Sequence, residues 1–120
     1  MRELSSILNQ MKRHRHVDGA GMILIHNGIV RKQSANGKTV SGLDVYVDWK
    51  KVDDIISEMC LSEGILDIQV EIREGQRIPA GSDLMYLLVM GDIREHIIPV
   101  LDECLNRIKT EALKKKEHYQ

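Results

Sequence analysis

Between Asp83 and Gly91 the chain carries seven apolar residues in succession, Leu84-Met85-Tyr86-Leu87-Leu88-Val89-Met90. A short apolar run closed by a glycine reads as a buried strand. Successive side chains of a strand leave on opposite faces, so an unbroken run requires cover on both. Leu84 to Met90 is therefore expected to be a central strand. Phe is absent and Trp49 is the only tryptophan, so the core around it must come from Ile, Leu, Val and Met. A chain of 120 residues is enough for one domain with one core.

The flanking segments supply that cover. Arg2 to about His14 places Leu4, Ile7, Leu8 and Met11 at helical spacing, and Asp18-Gly19 breaks the pattern. Ala20 to Ile25 reads as a buried strand, and Asn27 to Gly37 as a mobile polar loop carrying Arg31. Leu43, Val45, Val47 and Trp49 alternate as on a half-buried strand. Val52, Ile55, Ile56, Met59 and Cys60 form one stripe of a helix from Lys50 to Glu63, with Gly64 just past its end. Ile68, Val70 and Ile72 mark another strand, and Glu74 to Ser82 is a turn-rich connection. Ile93 to about Lys115 has apolar residues at three- and four-residue steps, which predicts a long amphipathic helix made irregular early by Pro99. The expected order is α-β-β-α-β-β-α, an α+β single domain.

Composition excludes several functions. A net charge of −1 produces no global field toward nucleic acid or anionic membrane. The basic runs Lys12-Arg13-His14-Arg15-His16 and Lys114-Lys115-Lys116 read most simply as solvated helix ends. With so few aromatic residues, base stacking has no platform. Cys60 and Cys104 lie in apolar helical patterns without CxxC spacing, so reduced, buried thiols are expected, with no metal and no cofactor. No apolar run reaches membrane-spanning length and no signal-peptide core is evident, so a soluble cytoplasmic protein is expected.

Four basic residues stand out by position. Lys109 and Lys116 are seven apart, which on a regular helix returns to nearly the same face. Arg94 falls at a strand-to-helix junction, where backbone N–H groups favour anions, and Arg31 lies on the polar loop. Together they could form a pocket for a phosphate or carboxylate. Taken singly, lysines on a terminal helix are exposed decoration.

The order of three motifs adds a resemblance. His26-Asn27-Gly28-Ile29-Val30-Arg31, followed by Gly37 and Val40, resembles the phosphate-side loop of the molybdopterin synthase large-subunit family. Gly81-Ser82-Asp83 with Gly91-Asp92-Ile93-Arg94 is similar to its second block, and Arg107-Ile108-Lys109-Thr110-Glu111 with Lys116-Glu117 to its third. The likeness covers roughly Gly19 to Glu117, with residues 1–17 as an N-terminal helical segment and 18–117 as the family-like core.

The resemblance implies an α/β-hammerhead fold and a homodimer that binds one small ubiquitin-like sulfur carrier per subunit, a heterotetramer in all. The carrier's C-terminal Gly-Gly thiocarboxylate would donate sulfur to cyclic pyranopterin monophosphate, building the molybdopterin dithiolene of the molybdenum cofactor. By the same likeness Lys109 would meet the carrier terminus and Lys116 would bind substrate and stabilise charge. Arg31 and Arg94 would hold the pterin or its phosphate. Ile93 stands where the family has His, His26 where an aromatic is usual, and Leu113-Lys114-Lys115 where it has Pro-x-Trp. His26 and His96 are the candidates to replace the missing histidine. The alternative expectation is a non-catalytic paralogue that binds a carrier or pterin in a regulatory role.

Overall fold

The computed structural model describes residues 1–120 and contains two three-stranded antiparallel sheets. The first has the order β1 (Met22–Ile29), β5 (Asp83–Gly91), β3 (Ile65–Ile72). The apolar run thus lies in the middle strand, with Leu84 to Met90 all buried. Its two faces serve two cores. Met85, Leu87 and Val89 join the main cluster with α2 (Trp49–Met59) and α3 (Arg94–Glu111), through residues such as Ile55, Ile97 and Ile108. Tyr86, Leu88 and Met90 face α1 (Leu4–Met11), which contributes Ile7 and Met11 to a second cluster.

The second sheet has the order β4 (Gly75–Pro79), β2 (Val40–Val47), β6 (Leu113–Tyr119). The expected seven elements occur in the expected order, and β4, β6 and a short 3₁₀ turn at Val17–Gly19 are additional. β4 falls within the turn-rich connection; it is a short edge strand closed by Pro79, a place where proline is tolerated. Its Arg77 adopts a left-handed φ of 50°. The Arg77 N–H donates to Asp44 Oδ1 at 2.8 Å, so an acceptor on the central strand holds the bend.

Several boundaries differ from expectation. Trp49 opens α2 instead of ending the preceding strand, because the Asp48 carboxylate caps that helix by accepting from the Lys51 N–H at 3.1 Å. β1 continues through Ile29, taking in His26-Asn27-Gly28, and the loop that follows closes on itself around the buried Ser34. α3 runs through Pro99, whose unmatched turn lies on the exposed side. The helix ends at Glu111, not Lys115. The Ala112 carbonyl accepts from the Asp48 N–H at 2.9 Å, and the chain turns extended to pair along β2.

The molecule is elongated, 49 × 25 × 25 Å. No helix is long and apolar enough to cross a membrane. Cys60 and Cys104 are unpaired; burial raises both thiols, Cys104 to about 11, so they stay protonated at neutral pH.

Candidate active site

A cleft of about 670 Å³ opens between the two sheets, a size typical of small-molecule sites. One wall is the C-terminal half of β1 with the loop behind it, including His26, Gly28 and Arg31. The opposite wall is Lys109 of α3 with the odd-numbered residues of β6, namely Leu113, Lys115, Glu117 and Tyr119. Leu43, Leu84 and Met85 add apolar lining.

Local structure sets each side chain. His26 and Gly28 share a face of β1; a Cβ at Gly28 would stand 3.3 Å from His26 Nε2, so glycine leaves the ring its room. Burial and the Lys109 charge both lower the His26 imidazole from its ordinary value. Lys109 sits in the last turn of α3, where a cation also suits the helix dipole. Burial and Lys109 lower Lys115, while Glu117 works in the other direction. Lys38 lies over the Tyr119 ring, 5.1 Å from its centroid, and ties the loop to the end of β6. The salt bridges of the chain lie elsewhere, and none engages Arg31, Lys109 or Lys115. Cations from both sides of the cleft that engage in no salt bridge, with the His26 imidazole beside them, suit an anionic ligand.

Of the residues singled out by sequence, His26, Arg31 and Lys109 line the cleft, and Arg94, His96 and Lys116 do not. The stacked lysine pair is a correction. Lys116 lies on a strand, paired with Asp44 and on the face opposite the cleft. Arg94 is at the far end of α3 beside Glu95. Fifteen positions along the helix separate it from Lys109, about 22 Å of axial rise. His96 contacts Asp92 at 2.8 Å, and that hydrogen bond raises its pKa. The pair packs over Gly64, whose φ is +78° and where a Cβ would stand 2.2 Å from Asp92 Oδ1. Ile93 is half-exposed on the same end. Sequence reasoning missed Lys115. The alternation Leu113, Lys115, Glu117, Tyr119 was available as a signal, but helical spacing through Ile108 and Ala112 masked it.

The model of the MoaE protein family matches residues 2–111. The chain belongs to the MoaE protein family. That membership gives it a role in molybdenum cofactor biosynthesis. The match stops before β6, so the strand carrying Lys115 and Lys116 lies outside it. Solved MoaE-like structures share the fold. A Burkholderia ambifaria molybdopterin biosynthesis MoaE protein superposes with a TM-score of 0.78 at 18% identity, covering 98% of this chain and 82% of its own. Molybdopterin synthase from Staphylococcus aureus gives 0.74 at 19%, covering 86% and 77%. A complex of subunits 1 and 2 of the Helicobacter pylori molybdopterin-converting factor gives 0.72 at 14%, covering 99% and 80%. No curated protein matches by sequence.

Proposed function

We propose that this chain is the catalytic subunit of a cytoplasmic molybdopterin synthase. It would transfer sulfur from the thiocarboxylated Gly-Gly terminus of a small ubiquitin-like carrier to cyclic pyranopterin monophosphate. The observation that carries the reading is the convergence of Lys109, Arg31 and His26 on one cleft, none of them engaged in a salt bridge, in a MoaE-family chain. Thiocarboxylate, phosphate and the tetrahedral intermediate of acyl-type sulfur transfer are all anionic, and preorganised cations stabilise such charge most as it develops. A Gly-Gly tail has no side chains to hinder its entry into the cleft. The two-subunit assembly of the Helicobacter pylori relative supports a small-subunit partner.

In this reading Lys109 meets the carrier terminus, Arg31 holds the pterin phosphate, and His26 is the imidazole available for proton transfer. Arg94 joins only from a second copy of the chain, since one helix separates it from Lys109. The test is reconstitution with a thiocarboxylated carrier and the pterin precursor. Product should form, and Lys109→Ala should lower its rate by ~10²–10³ with the fold intact. Ile93 in place of the family's His favours one second reading, a non-catalytic paralogue. It is the better account if the chain binds carrier and precursor, makes no product, and gains activity on Ile93→His.

A further inference from the structure

The cleft contains a cation that the resemblance leaves unassigned, Lys115, and lacks one that it assigns, Lys116. β6 decides which of them enters. A one-residue slip in strand pairing exchanges the two faces along the whole strand. Lys114, Lys115 and Lys116 are consecutive, so some lysine meets the cleft in either register, and the lysines themselves select neither. His118 does select. Its Nε2 lies 2.8 Å from Asp44 Oδ1 on the face away from the cleft. Asp44 is the one buried carboxylate of the chain. The same oxygen accepts from the Arg77 N–H of β4, so Asp44 ties both edge strands to β2. Slipping β6 would carry His118 to the other face and strip a buried charge of a hydrogen bond, a costly loss.

We propose that Lys115 is the second lysine to meet the anionic reactants in the cleft, with Asp44 and His118 as the positioning pair that turns it inward. This rests on the cleft being the sulfur-transfer site. The charged groups around Lys115 are Lys109 from α3 and Glu117 from its own strand, with His26 and Arg31 on the facing wall. Partial burial and then the nearby Lys109 charge disfavour its ammonium, against a smaller opposing pull from Glu117, so the Lys115 pKa lies below an ordinary lysine's.

Pyridoxal 5′-phosphate is a suitable probe, because its phosphate suits the cleft cations and its aldehyde condenses with a neutral amine. The amine adds to the carbonyl carbon, water leaves, and borohydride then delivers hydride to the imine carbon, fixing a secondary amine that peptide mapping locates. At pH 8 the label should fall on Lys115 several-fold ahead of Lys114 and Lys116. His118→Ala should spread it across all three, and His118→Gln, which can still donate to Asp44, should return it to Lys115. In the reconstituted reaction Lys115→Ala should slow turnover by ~10²–10³, and Lys116→Ala should leave it unchanged. Label on Lys116, or even label across the three in the unsubstituted chain, overturns the assignment. So does a loss of turnover confined to Lys116→Ala. If the unsubstituted chain labels at Lys115 but transfers no sulfur, the synthase reading fails alone and the placement of Lys115 is upheld.

Discussion

Two histidines that look alike in sequence are set in opposite electrostatic surroundings. His26 is held below the ordinary imidazole value by burial and by Lys109, and His96 above it by its hydrogen bond to Asp92. In an imidazole proton NMR titration His26 should titrate below ~6.5 and His96 above it. Lys109→Ala should move His26 upward and leave His96 in place, since only His26 feels that charge. The two signs also enter stability. The His96 contribution is complete below the unfolded value of ~6.5 and is lost as pH rises through its higher folded value. For His26 the unfolded chain takes the proton first, so stability falls as pH drops below ~6.5. Titration of both residues at the same pH would remove the electrostatic account of the cleft.

Among the elements, α1 and β6 show how context outweighs local pattern. α1 is short and lacks a side-chain N-cap, so its hold on the fold is the packing of Ile7 and Met11 on Leu88 and Met90. Ile7→Ala should cost about 2–5 kcal/mol in urea unfolding. Hydrogen exchange should quicken first in α1, while β5 stays protected. A loss under ~0.5 kcal/mol, the range of an ordinary surface substitution, would mean that α1 contributes little to the fold. β6 has the composition of a solvated helix end, and Ala112 to Lys116 is a run of good helix formers directly after α3. Strand pairing with β2, whose residues are some seventy positions earlier, overrides that propensity.

For the molecule as a whole, the length of α3 makes a prediction about assembly. Arg94 and Lys109 stand at opposite ends of one helix, so both can serve one reaction only across two copies. A homodimer burying at least ~1,000 Å² in total is expected. Light scattering at micromolar concentration should give twice the chain mass. Arg94→Ala and Lys109→Ala should each be strongly impaired alone and recover activity when mixed and allowed to exchange subunits, since each mixed pair retains one intact site. A monomer at these concentrations, or no recovery on mixing exchanged subunits, would remove Arg94 from the site.

Periodicity made the helices and the central strand legible, because each buries a face whose spacing depends only on local geometry. The apolar run Leu84–Met90 even announced that both of its faces would be covered. Arg31, Lys109 and His26 were found from their motifs, and the cleft brings those three together. The tertiary structure decided the rest. Whether Lys115 or Lys116 meets the cleft depends on the register of β6 against β2, and therefore on Asp44 and His118, seventy-four residues apart. No window along the chain contains that pairing, since the hydrogen bonds that fix it form only once distant strands lie side by side.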